Sequence, residues 1–172
     1  MIELVDYIRL LSRDGRLVTA EQIIAVAGLD LEIEDINAAY QTLIEDKQYA
    51  DIVIIQAKDD AYFYSKKYIV KSYAEQWIGV HNGDLLDTIA NEIRRYGILG
   101  ELVAANNFSH PPYNLEGTEL DELIAKFETV KGFEDICIQT ANDGAKQFFS
   151  TQFISTSYAI VLGNIDPFEW SA

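Results

Sequence analysis

Residues 51–74 read DIVIIQAKDDAYFYSKKYIVKSYA, and residues 135–159 read DICIQTANDGAKQFFSTQFISTSYA. Both run Asp-Ile-x-Ile, an acidic turn between two alanines, an aromatic pair, Ser, and then (Tyr/Phe)-Ile-x-x-Ser-Tyr-Ala. So many ordered matches make this 172-residue chain two copies of one unit. β-Branched and aromatic residues on either side of each turn predict a two-stranded hairpin, Ile52–Ala57 with Ala61–Ser65 and Ile136–Thr140 with Lys146–Ser150. In the second hairpin Asp143-Gly144 is a strong turn signal.

Outward from the hairpins the copies fall at residues 1–82 and 83–172. A unit of about 80 residues has a marginal core by itself, so the halves are expected to pack on each other or to dimerise. In the first copy Ile2, Val5, Ile8 and Leu11 recur at helical spacing and predict a helix ending near Asp14-Gly15. Thr19 with Gln22 three residues on forms a capping box for a helix over Ala20–Ala27. A third helix is predicted over 33–47, with Ile36, Ala39, Tyr40, Leu43 and Ile44 on one face, and a terminal helix over Tyr68–Trp77. The second copy repeats the first helix from Gly83-Asp84 to Tyr96 and sets Gly97–Gly100 where Gly15–Val18 stood. Its second helix is cut short at Ala105, before Pro111-Pro112. Thr118 caps a third helix burying Leu120, Leu123, Ile124 and Phe127, and Phe153–Leu162 repeats the terminal helix.

This order of helix, short strand, two helices and hairpin resembles the winged-helix fold, a helix-turn-helix variant. The resemblance implies an α+β class with two tandem winged-helix-like repeats, each a helical bundle plus a two-stranded β hairpin followed by a helix. It also implies that the third helix is the one presented to a DNA major groove. Charge opposes that use. Residues 32–47 carry five acids against one base, net −4, and residues 116–131 carry five against two, net −3. In broad architecture the chain is similar to the acidic two-winged-helix accessory subunits of bacterial chromosome-condensation complexes, although none of their motifs occurs. That similarity implies protein partners rather than chemistry.

Net charge is −15, spread over both copies as −6 in residues 1–82 and −9 in 83–172. Such a surface repels a polyanion over most of its area, so nucleic acid is disfavoured. One basic cluster departs from the trend: Lys58, Lys66, Lys67 and Lys71 on and after the first wing, with Arg9, Arg13 and Arg16 on or near the first helix. If duplex binds, as in a DNA-binding transcriptional regulator, it binds there.

Catalysis finds no constellation. His81 and His110 lie in connecting segments outside any metal-ligand spacing, and no glycine-rich phosphate loop occurs. Ser65/Ser150 and Ser72/Ser157 recur without a histidine–acid pair. Cys137, the single cysteine, reads as a small strand residue, and its solitude excludes an intrachain disulfide. The N-terminus is amphipathic rather than a leader, and no apolar run reaches a membrane span. The expectation is a cytoplasmic, non-enzymatic protein without catalytic, metal or cofactor site.

Adjacent strand residues point to opposite faces. One of each aromatic pair is therefore expected to be exposed, or covered by the other copy or a second chain. Core or inter-repeat packing is the first reading of these aromatics; the second makes Tyr62, Tyr64, Tyr68, Tyr73, Trp77, Phe149, Phe153 and Tyr158, with Phe168 and Trp170 of the tail, the candidate protein interface. The implied function is an accessory, adaptor or assembly factor acting as a homodimer, with no membrane partner.

Overall fold

The computed structural model describes residues 2–27, 40, 46–58 and 60–165. The chain divides into two compact units, Met1–His81 and Asn82–Ala172. The first contains α1 (Ile2–Arg13), β1 (Val18–Thr19), α2 (Ala20–Ala27), β2 (Ile52–Ala57), β3 (Asp60–Ser65) and α3 (Lys71–His81). The second contains α4 (Leu85–Ile98), β4 (Val103–Ala104), α5 (Gly117–Thr129), β5 (Ile136–Thr140), β6 (Lys146–Ser150) and α6 (Thr156–Gly163). Each has a three-stranded antiparallel sheet of the same order, β1-β3-β2 and β4-β6-β5. The class is α+β, with a repeated unit.

Local sequence accounts for the element ends. The Thr19 hydroxyl accepts from Gln22 N–H at 3.1 Å, and Gln22 Oε1 accepts from Thr19 N–H at 3.2 Å. This reciprocal pair satisfies two donors at the start of α2. Gly15 and Gly100, with φ of 73° and 77°, turn the chain after α1 and α4 in a conformation that costs glycine nothing. Gly100 rather than Gly97 therefore matches Gly15; α4 runs on through Gly97, the counterpart of Ser12 in the repeat.

Three further expectations are corrected. The second copy has no α-helix at 101–105 but a strand, Val103–Ala104, and a 3₁₀ turn, Ala105–Ser109. The cap of α5 is Glu116, whose N–H donates to Glu119 Oε2 at 2.9 Å, not Thr118. Both terminal helices start three residues late because the chain turns first: Ser65 C=O accepts from Tyr68 and Ile69 N–H, and Ser150 C=O from Phe153 and Ile154 N–H. The third helix expected over 33–47 lies outside the described residues, except that Tyr40 is helical and Lys47–Tyr49 form a 3₁₀ turn.

Each sheet is covered on both faces. In the first unit Phe63 packs with Val5, Ile8, Ile23 and Tyr40 on the α1/α2 side. Tyr62 and Tyr64 pack with Ile69, Ala74 and Ile78 on the α3 side. The second unit places Phe148 with Ile89, Ile93, Phe108 and Phe127, and Phe149 with Ile154 and Ala159. Adjacent aromatics thus both enter a core, one on each side of the sheet. The expectation that one of each pair needs cover from outside its unit is overturned by the terminal helix, which supplies that cover.

Candidate protein interface

One polar cluster recurs at the base of each hairpin. Arg9 on α1 donates from Nε to Asp51 Oδ2 at 3.0 Å and from Nη2 to Oδ1 at 2.6 Å, while Nη2 also reaches Gln48 C=O at 2.9 Å. The Ser65 hydroxyl donates to Asp51 Oδ2 at 2.6 Å. In the second unit Arg94 repeats the fork on Asp135 at 2.9 and 2.6 Å and reaches Gly132 C=O at 3.2 Å, and Ser150 donates to Asp135 at 2.7 Å. The guanidinium bonds, with help from the serine bond, lower both carboxyls from the usual aspartate range against the opposing effect of burial, Asp51 by a large margin. Each serine proton is donated to a carboxylate whose basicity the arginine lowers, so the hydroxyl serves as a fixed donor within the cluster. The cluster is a clamp joining the unit's first helix to its hairpin. Sequence reading paired neither arginine with its aspartate, although Arg9/Arg94 and Asp51/Asp135 both lie in register within the duplication.

The candidate aromatics separate into two groups. Tyr62, Tyr64 and Phe149 are buried, the last two at 2% exposure each, and cannot contribute to a surface. Trp77 is half-buried and stacks on His81 at 4.9 Å. Tyr73 is half-buried and donates to Gly15 C=O at 3.0 Å. Tyr68, Phe153 and Tyr158 are exposed. Phe168 and Trp170 lie outside the described residues.

The basic candidates do not form one site. Lys58 is at the hairpin tip, whereas Lys66 and Lys67 follow the far end of β3. Six strand residues, about 20 Å, separate them. Lys67 Nζ lies 3.5 Å from Asp51, Lys71 Nζ lies 3.5 Å from Glu75, and Arg9 is engaged in the clamp.

The second unit offers a different surface. Residues 147–165 contain no charged side chain over 19 positions, whereas the corresponding 62–80 carry Lys66, Lys67, Lys71 and Glu75. Glu75 and Gln76 of α3 are matched on α6 by Ile160 and Val161, which are 53% and 57% exposed. Tyr158, one turn before Val161, is exposed as well, as are Phe153 and Ile165. Phe153 leans on Gly97, where an added Cβ would stand 3.2 Å from its ring. Nearby Ile98 and Leu99, at the end of α4, are also exposed. Among the described residues, three large hydrophobic side chains are exposed in the first unit and eight in the second. Single exposed hydrophobics are ordinary, but a concentration of them marks a contact surface.

Beneath α6 the contact layer has changed too. Where the first unit places Ile55, Tyr62 and Ile78, the second has Gln139, Gln147 and Gly163. Gln139 Nε2 donates to Gln147 Oε1 at 3.0 Å and to Ala159 C=O at 2.7 Å. A side chain at 163 would collide with both amides.

Two stretches, residues 2–82 and 83–170, match the model of the YdhW C-terminal domain. The chain belongs to that family. It carries the family's domain twice in succession. A similar protein is the uncharacterized protein YdhW of Escherichia coli strain K12, 23% identical over 167 residues that span 96% of this chain and 76% of that protein. No solved structure matches the chain. Among the described residues no helix is long and apolar enough to cross a membrane.

Proposed function

We propose that this protein is a non-enzymatic protein–protein interaction module, an accessory or assembly factor of a cytoplasmic complex, that pairs with a second copy through the α6 side of its second unit. The observation carrying this reading is the uncharged run 147–165 with Tyr158, Ile160 and Val161 exposed on one short helix. A chain of net charge −15 meets its own copy with repulsion over most of its surface. A stretch without charge avoids that repulsion, and an apolar patch of this kind suits the self-complementary contact of a two-fold dimer.

Within this reading each unit is a winged-helix variant whose terminal helix covers the second sheet face. The second unit has lost the second helix of the motif and kept an acidic third one, which suits protein contact better than phosphate contact. Duplex binding by the first wing has less support, because Lys58 stands a strand length from Lys66 and Lys67 faces Asp51.

Sedimentation velocity over a concentration series tests the proposal with the Ile160→Lys/Val161→Lys variant beside the parent chain. The parent should sediment as a dimer at micromolar concentration and the variant as a monomer of unchanged circular dichroism. A parent that stays monomeric throughout would rule out self-pairing by this face.

A further inference from the structure

In both units the outermost strand of the hairpin leaves backbone groups pointing away from the sheet. Lys66 N–H donates to Asp51 C=O and Thr151 N–H to Asp135 C=O, both at 2.8 Å. Antiparallel pairing alternates from those positions. Ile52 C=O and Ile54 N–H therefore face outward on β2, and Ile136 C=O and Ile138 N–H face outward on β5.

The first unit meets this demand from its own chain. The Tyr40 hydroxyl donates to Ile52 C=O at 3.3 Å and accepts from Ile54 N–H at 3.2 Å. Its ring sits edge-on to Phe63 with centroids 5.9 Å apart. One phenol thus fills the space between helix and sheet and serves a donor and an acceptor on the strand edge.

The second unit has lost that phenol. The run Ile36-x-x-Ala39-Tyr40-x-x-Leu43 corresponds to Leu120-x-x-Leu123-Ile124-x-x-Phe127, at the same 84-residue offset that relates Ile52 to Ile136. Isoleucine stands where tyrosine stood, and it has no hydroxyl. No described residue takes Ile136 C=O or Ile138 N–H. A cavity of about 210 Å³ opens at this place, lined by Ile124, Phe127, Ile136, Ile138 and Phe148, with Cys137 and Glu128 beside them. Phe148 is the counterpart of Phe63. The hollow continues past Glu128 to Lys131 and Glu134. It is smaller than the roughly 300 Å³ at which drug-sized pockets begin, and its scale is that of one ring.

We propose that this groove between α5 and the edge of β5 binds a tyrosine side chain presented by a partner protein. The ring lies on Phe148 and Ile124, and the hydroxyl donates to Ile136 C=O and accepts from Ile138 N–H, as Tyr40 does within the first unit. Hydroxyl chemistry on a ring suits the site: one phenol oxygen can both donate and accept, as Tyr40 does, which phenylalanine and tryptophan side chains cannot do. Residues 166–172 of this chain carry Phe168 and Trp170 but no tyrosine. The proposal rests on the reading of the protein as an interaction module, but it uses a surface separate from α6.

The test is titration of the full chain with N-acetyl-tyrosinamide and N-acetyl-phenylalaninamide, followed by the ¹⁵N–¹H signal of Ile138. The tyrosine compound should shift the Ile138 amide saturably, whereas the amide of Cys137, which faces β6, should move less. The phenylalanine compound should bind about tenfold more weakly, the loss expected from removing a buried hydrogen bond. Ile124→Tyr, which supplies the phenol internally, should abolish the saturable shift. Equal binding of the two compounds, an unmoved Ile138 amide, or undiminished binding by folded Ile124→Tyr would overturn the proposal. The comparison of the two compounds on the parent chain decides even if that variant does not fold. Self-pairing through α6 is read separately, by sedimentation of the Ile160→Lys/Val161→Lys variant, so either idea can fail without the other.

Discussion

The two units share a frame and differ in what they show to their surroundings. Both carry the arginine–aspartate–serine clamp, the same sheet order and a terminal helix over the second sheet face. The first unit then completes itself: Tyr40 serves the edge of β2, Tyr73 docks on Gly15, and the outer face of α3 carries Glu75 and Gln76. In the second unit Ile124 replaces the phenol and no described residue serves the β5 edge, Tyr158 is exposed, and the outer face of α6 is apolar. Duplication lets one copy hold the fold while the other changes its surface, and the changes here leave the second unit with an apolar terminal helix and a groove beside its outer strand.

The largest expected effect comes from breaking the shared part. Asp51→Ala and Asp135→Ala each leave a largely covered arginine without its carboxylate. Each should cost about 3–5 kcal/mol, measured as a fall in the urea midpoint. Comparable losses in both units would show that the clamp is a common structural device. The same carboxylates predict acid sensitivity. Their folded pKa values are lowered, so their contribution is whole above the unfolded aspartate value of about 3.9 and is lost as pH falls through the folded values. Urea midpoints taken below about pH 4 should fall for the parent and more gently for the doubly substituted chain.

Smaller effects sharpen the differences between the units. Tyr40→Phe strands Ile52 C=O and Ile54 N–H in the first unit and should cost about 2 kcal/mol in chemical denaturation. Ile124→Tyr, the reciprocal change, should raise stability by about 1 kcal/mol if the phenol finds Ile136 and Ile138. Gly163→Ala should cost about 1–2 kcal/mol by overpacking the glutamine pair under α6, a liability that the first unit, with Ile78 at this place, does not share.

Much of the frame was legible because it was written twice. The strand bounds at Ile52–Ala57, Ile136–Thr140 and Lys146–Ser150 follow from alternation and turn residues, and the Thr19–Gln22 cap follows from spacing. The clamp was harder to see, since Arg9 and Asp51 are 42 residues apart and nothing local marks either as paired. The cover over Tyr62 and Tyr64 was hard to see for a related reason. Strand alternation gives two faces but does not say that a helix following the hairpin will cover the second one. Pro111-Pro112 marks a break in the second helix of the other copy, but the short helix expected at 101–105 is replaced by the strand Val103–Ala104, which forms by pairing with distant Phe148 and Gln147. Long-range pairing of this kind leaves little trace in the segment itself.

Hydrogen–deuterium exchange of the full chain at low and high protein concentration tests the central claim most directly. Peptides covering Thr156–Ile165 should gain protection as concentration rises, while those covering Lys71–His81 exchange at an unchanged rate. Protection that is independent of concentration at α6, or that appears at α3 instead, would contradict the assignment of the contact surface to the second unit.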